Sequence, residues 1–303
     1  MVTAPTTYTE HMFKTRDGLA LEYRLYEPRD VVFGAPILCL HGLTRNVRDF
    51  EELAPILAER GRRVYSISQR GRGGSDYETD PSRYLPATYS DDVIDFLDTH
   101  QIEKAILVGS SMGGIMSMQI AHKSKQRVLG VILNDVGPVL SPEGIARIMG
   151  YVGGQSVMTS WDEAATACHA VNGDAFPENR DKDFWLTFAK RICHQQPDGA
   201  IVFSYDKNIA LPTQSEHADI PSYWEEFKSL IGIPVLSVRG ALSDLLSEQT
   251  VQDMKKVNPS MQTVTVPNVG HVPFLTEPKA LEKIGAFLTE IEQVEDKGVS
   301  SEV

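Results

Sequence analysis

Cysteine is scarce in this chain of 303 residues. Its three cysteines, Cys39, Cys168 and Cys193, are widely spaced and include no C-x-x-C pair. An odd, scattered set does not make a disulfide framework and points to a reducing compartment. Long apolar runs are missing too: no stretch approaches the roughly 20 uninterrupted apolar residues that span a bilayer. Met1–Glu10 holds no basic segment followed by an apolar one, so no secretory leader is expected there and a soluble cytoplasmic protein is. Positive charge is in deficit, with 29 Lys and Arg against 41 Asp and Glu, a formal net charge of −12. Such a surface repels phosphate backbones and anionic lipid, which makes nucleic acid and membranes poor partners. There is no G-x-x-x-x-G-K-[ST] and no H-E-x-x-H. Gly71-x-Gly73 is followed by Asp76 where a dinucleotide loop needs its third glycine. Cys168-His169 and Cys193-His194 could suggest metal ligands, but on helices they read as packing.

What is present is an alternation. Tyr8–Thr15 and Leu19–Tyr26 flank Asp17-Gly18 as a hairpin. Short apolar strands are expected at Pro36–Leu40, Arg63–Ser68, Ala105–Val108, Val128–Leu133, Ile233–Arg239 and Met261–Val266. Between them lie segments with apolar residues at helical spacing: Phe50–Arg60, Pro81–Thr99, Met112–Lys125, Ser247–Val257 and Glu277–Ile291. Apolar strands alternating with amphipathic helices predict an α/β fold, a mostly parallel sheet covered on both faces. The pattern breaks over 138–231, which has no clean strand signal but holds all three tryptophans and helical stretches such as Trp161–Ala170 and Phe184–Cys193. The expected organisation is a core of 1–137 and 232–291, a helical cap or lid at 138–231, and a frayed polar tail at 292–303.

Gly109-Ser110-Ser111-Met112-Gly113 matches G-x-S-x-G between an apolar strand and a helix, where a strained nucleophile turn belongs. Only Ser111 has both flanking glycines, which leave room for close backbone packing. The following helix points its amide dipoles at the site. A serine hydroxyl needs a base, and His271 in Gly270-His271, after the last strand, is the candidate. The base needs an acid to hold its tautomer. Asp244, just past Ile233–Arg239, is the expected acid, and Asp135, just past Val128–Leu133, is the rival. Asp244 is preferred because capping the exit into the insertion is sufficient work for Asp135. The tetrahedral oxyanion should meet the backbone amides of Met112 and Leu43. His41 reads as a buttress of the loop that carries Leu43.

Together His41-Gly42, Arg70-Gly71-Arg72-Gly73-Gly74-Ser75-Asp76, Gly109-x-Ser111-x-Gly113, Ser243-Asp244 and Gly270-His271 resemble the α/β-hydrolase superfamily, in its esterase, lactonase and C–C hydrolase branch. The resemblance runs from about Tyr8 to Ile291. It implies an eight-stranded mostly parallel sheet flanked by helices, a helical cap inserted after the sixth strand, and neither metal nor organic cofactor. One departure is Gln69, where many relatives open the arginine-glycine loop with an aspartate. Ser111 argues against the epoxide hydrolases and haloalkane dehalogenases of the superfamily, which use an aspartate there.

The expected reaction is cleavage of a carboxylic ester through an acyl-serine intermediate, with a small-molecule ester and water as the partners. Trp161, Trp185 and Tyr151 are candidate wall residues of a largely apolar pocket, the alternative being that cap aromatics form the cap's own core. Two further readings use the same chain: C–C bond hydrolysis or lactone opening on the same triad, and a ligand receptor built on a hydrolase fold.

Overall fold

The computed structural model describes residues 8–300, apart from 31, 155–156, 180 and 214–220. Its centre is an eight-stranded sheet in the order β1-β2-β4-β3-β5-β6-β9-β10. β1 (Tyr8–Lys14) and β2 (Ala20–Tyr26) form the antiparallel hairpin, turning at Gly18 with a φ of 93°. β2 runs antiparallel to β4 (Val64–Ile67), and every later pairing is parallel: β3 (Ile37–Leu40), β5 (Ala105–Ser110), β6 (Val128–Asn134), β9 (Val235–Gly240) and β10 (Gln262–Val266).

The central strands are apolar on both faces, and each face has its own core. Along β3, Ile37 and Cys39 point to one side and Leu38 and Leu40 to the other, as the two-residue strand period requires. The Leu38 side is covered by α2 (Pro86–Thr99), α3 (Met112–Ser124) and α8 (Glu248–Val257) through Val93, Phe96, Met116 and Met254. The Ile37 side is covered by α1 (Leu53–Ala58) and α9 (Pro278–Ser300) through Leu53, Leu57, Ile284 and Phe287. Each such side chain contributes about 1.5–3 kcal/mol of burial, so the two-sided cover is what stabilises a parallel sheet.

Between β6 and β9 the chain leaves the sheet. α4 (Pro142–Met149), α5 (Trp161–Asn172) and α6 (Lys182–Ile192) are followed by an antiparallel pair, β7 (Cys193–Gln195) and β8 (Ile201–Phe203). α5, α6 and this hairpin share a core of their own around Cys168, Trp185, Phe188 and Cys193. The hairpin departs from the all-helical expectation: its strands are three residues each, too short for a period, yet Pro197-Asp198-Gly199 turns them with Gly199 at a φ of 90°. α7 (Trp224–Lys228) also differs, since Phe227 packs into the sheet's core rather than the insertion's.

Of the tail expected to fray over 292–303, residues 292–300 continue the last helix, and 301–303 lie outside the described residues. α9 runs through Ser300, and two of its acidic residues have partners on the core: Glu295 pairs with the fully buried Arg62 and accepts from the Ala35 amide at 2.9 Å, and Glu292 lies 3.5 Å from Arg60. Among the described residues, no helix is long and apolar enough to cross a membrane.

Candidate active site

The sheet order locates the site. From β3 the chain moves outward to β4, then returns to β5 on the other side of β3, so the loops leaving β3 and β5 diverge. A crevice opens at the carboxyl end of a parallel sheet where the strand order reverses. Leu40 pairs in register with Gly109, which brings residues 41–43 beside Ser110 and Ser111.

The turn from β5 into α3 takes a single residue. Ser111 has φ 50° and ψ −114°, a strained conformation for a residue with a side chain, worth about 1–3 kcal/mol. It is held by its amide donating to Asn134 O (2.9 Å) and by the Gly114 and Ile115 amides donating to its carbonyl (2.9 and 3.3 Å). The flanking glycines are needed for clearance: a Cβ on Gly113 would lie 1.9 Å from Leu40 O, and one on Gly109 would lie 2.3 Å from Gly113 O. Met112 opens the helix, so its amide is one of the first-turn donors that have no partner within it.

The loop after β3 presents a second amide. The Gly42 carbonyl accepts from His41 Nδ1 (2.7 Å) and from the Arg45 amide (3.1 Å). Since a trans peptide sets its N–H opposite its C=O, these two bonds turn the Leu43 N–H away from them. Arg72 Nε also donates to Leu43 O at 2.9 Å, fixing the next peptide. His41 Nε2 accepts from the Gln69 amide at 3.0 Å, so the ring carries its proton on Nδ1. Burial, with Arg72 and Arg45 adding to it, pushes the imidazole of His41 down to about 3, and the Gly42 carbonyl opposes this only in part. His41 is a neutral brace.

His271, in the loop after β10, bridges Ser111 and Asp135. Its Nδ1 donates to Asp135 Oδ2 at 2.8 Å, and its Nε2 accepts from Ser111 Oγ at 2.9 Å. A carboxylate only accepts, so the Asp135 contact sets that tautomer. Asp135 is fully buried immediately after β6, with φ 55°; its Oδ1 accepts from the Gly240 amide (2.8 Å) and its Oδ2 from Ser243 Oγ (2.6 Å). Asn134 Nδ2 donates to Ser110 Oγ (2.9 Å) and Pro273 O (2.8 Å), tying β6 to the serine turn and the histidine loop.

Asp244, the acid preferred on sequence grounds, is therefore corrected: it makes no bond to His271 and pairs with Arg147 of α4, Nη2 to Oδ1 3.0 Å and Nε to Oδ2 closer still. Burial raises its carboxyl, but the Arg147 contacts outweigh this and hold it below the usual range. The loop after β9 serves the site through Ser243 and Gly240 instead. The sequence did carry a signal for Asp135, which directly follows β6 just as Ser111 directly follows β5.

Trp185 is also corrected: it is buried in the insertion's core, edge-on to His169 and Phe184, with Nε1 donating to Asn179 O at 2.8 Å. Trp161 packs against the same cluster. Tyr151 does line a cavity of about 270 Å³, with Thr44, Arg45, Asn172, Phe203 and Tyr205, where the loop after β3 meets the insertion. Cys168 and Cys193 are free, buried thiols in the insertion's core. Among the described residues, no three His, Cys, Asp or Glu side chains are grouped to hold a metal ion.

Residues 35–278 match the family model of the alpha/beta hydrolase fold. The chain is 31% identical over 259 residues to the 3-hydroxybutyrate-oligomer hydrolase of Cupriavidus necator, covering 84% of this chain and 88% of that protein. It is 27% identical over 240 residues to the 2-(acetamidomethylene)succinate hydrolase of Mesorhizobium japonicum, covering 78% and 82%. Among solved structures, an alpha/beta hydrolase from Novosphingobium aromaticivorans superposes with a TM-score of 0.87 at 40% identity, covering 94% of this chain and 99% of that one.

Proposed function

The chain belongs to the α/β-hydrolase fold family, and from that premise we propose that it is a serine hydrolase cleaving a carboxylic ester through an acyl-serine intermediate. The observation that carries the reading is the continuous chain from Ser111 Oγ to His271 Nε2 and from His271 Nδ1 to Asp135 Oδ2. In this reading Ser111 Oγ attacks the ester carbonyl as His271 Nε2 takes its proton. The buried Asp135 carboxylate supports the imidazolium that results. The carbonyl oxygen, now an oxyanion, accepts from the Leu43 and Met112 amides. Collapse of the intermediate expels the alkoxide, which leaves as the alcohol with the proton from Nε2. Water then attacks the acyl-serine with the same base, releasing the acid and restoring Ser111.

Ester chemistry is favoured over the other reactions of this framework by the Cupriavidus relative, because an oligomer of a hydroxy acid is joined through esters. The insertion at 138–231 is assigned as a lid, since it supplies Tyr151, Asn172, Phe203 and Tyr205 to the cavity bordered by Thr44 and Arg45 of the loop after β3. The buried free thiols suit a reducing cytoplasm.

The test is steady-state hydrolysis of p-nitrophenyl esters from acetate to decanoate by the wild type and Ser111→Ala. The substitution is expected to lower kcat by at least about a thousandfold. Equal rates in the two proteins would refute the mechanism.

A further inference from the structure

Several arginines converge where the insertion meets the sheet, and nearly all are spoken for. Arg147 pairs with Asp244, and Arg191 with Glu51 and Glu52. Arg48 donates to Asn46, to the Lys190 and Cys193 carbonyls and to Ser204. Arg72 donates to the carbonyls of Leu43 and Arg70 and to Tyr89. Arg45 differs. It is 9% exposed, and among the described residues its guanidinium donates one hydrogen bond, from Nη2 to Asn172 Oδ1 at 3.1 Å. Its nearest carboxylate, Asp49, is 3.8 Å from Nη1, outside hydrogen-bond range, and the Phe188 ring covers it at 4.6 Å.

Arg45 borders the cavity of about 270 Å³ described above. Among the described residues that cavity has no acidic lining residue, in a chain whose net charge is −12. Tyr151, Tyr205 and Asn172 add polar groups to an otherwise apolar wall. A buried guanidinium with one hydrogen bond, whose ion-pair partner Asp49 lies 3.8 Å away and outside this cavity's lining, is a site for a carboxylate, which its fork matches with two parallel bonds. The stem of Arg45 lies close to the reacting serine. A Cβ built on Gly42 would lie 3.7 Å from both Arg45 Cγ and Ser111 Cβ, so the arginine stem and the nucleophile flank that glycine.

We propose that Arg45 anchors a free carboxylate on the substrate, so that the ester cleaved at Ser111 belongs to an anionic molecule whose carboxylate stands a few bonds from the scissile carbonyl. The proposal rests on the ester-hydrolase reading and narrows it to acid-bearing esters. It also explains a cationic pocket inside an acidic protein: the outer surface keeps the chain soluble, while the low-dielectric walls focus the field of Arg45 on the cavity.

Two matched pairs of esters test it by acid release in a pH-stat. Ethyl hydrogen glutarate against ethyl pentanoate places the carboxylate on the acyl side. 3-Acetoxybutanoate against sec-butyl acetate places it on the alcohol side. The readout is the ratio of kcat/KM for the anionic to the neutral member, taken in one preparation so that the folded fraction cancels. The wild type is expected to favour the anionic member of at least one pair by about tenfold or more. Arg45→Met should lower that ratio about 30-fold, and Arg45→Lys should retain part of it. If the wild type prefers neither anionic ester, or if Arg45→Met leaves the ratio unchanged while Ser111→Ala is inactive, the carboxylate anchor is refuted and ester hydrolysis stands. If the wild type exceeds Ser111→Ala on none of the four esters, the ester reading itself fails.

Discussion

Asp135→Asn against Asp244→Asn separates the two carboxylates that follow adjacent strands of the sheet. Asp135 Oδ1 accepts from the Gly240 amide, and Oδ2 accepts from both Ser243 Oγ and His271 Nδ1. An asparagine must put an NH2 at one of these positions. Against Gly240 it sets donor against donor in a fully buried place, at a cost of about 1–3 kcal/mol. Against His271 it drives the ring proton to Nε2, where the imidazole can no longer accept from Ser111 Oγ. Either way the base is misoriented or in the wrong tautomer. A loss of about 10⁴ in kcat is expected, which corresponds to about 5.5 kcal/mol of transition-state stabilisation. Asp244 and Arg147 have side chains 34% and 29% exposed, a pair worth no more than about 1 kcal/mol. Asp244→Asn should therefore leave kcat within about tenfold. The assay is p-nitrophenyl butyrate hydrolysis, with thermal unfolding of each variant to show that the chain is folded. A loss above a thousandfold for Asp244→Asn, with Asp135→Asn near wild type, would refute the assignment of Asp135 and return the role to Asp244.

Two further outcomes follow from the loop braces. His41 stays neutral in the folded chain down to about pH 3, whereas an unfolded imidazole binds its proton near 6.5. Between those values the unfolded state holds the extra proton, so stability is greatest above pH 6.5 and falls as the pH drops. His41→Gln should remove about 2 kcal/mol of the loss between pH 6.5 and pH 5, read by urea unfolding at both; an unchanged difference would overturn the buried neutral state. Gly113→Ala places a methyl 1.9 Å from the Leu40 carbonyl and should cost at least about 3 kcal/mol or prevent folding. Gly18→Ala, with open space around its Cβ and only a positive φ to bear, should cost about 1 kcal/mol. Equal costs in urea unfolding would show that close packing is not what requires Gly113.

Features that depend on near neighbours are legible in the order of the residues. Strand and helix positions follow from apolar period, and Ser111 follows from a strand–turn–helix whose glycines lie two residues away on each side. His271 was legible because it lies in the loop after the last strand, while the expectation for the Leu43 and Met112 amides rests on each directly following a motif residue. The carboxylates are told apart only in three dimensions. Asp135 and Asp244 both follow parallel strands that are neighbours in the sheet, β6 and β9, so chain position cannot say which one reaches His271, 136 residues beyond Asp135 and 27 beyond Asp244 (271 − 244). The choice is made by contacts distant in sequence: Arg147, on a helix of the insertion, draws Asp244 away, while Gly240 and Ser243 hold Asp135 toward His271. The same holds for the aromatics and the arginines. The sequence shows that the insertion is rich in tryptophan, but burial decides that Trp185 packs inward and Tyr151 faces the cavity. Which arginine keeps open donors depends on where every other acid and carbonyl lies in space, and a one-dimensional pattern does not contain that.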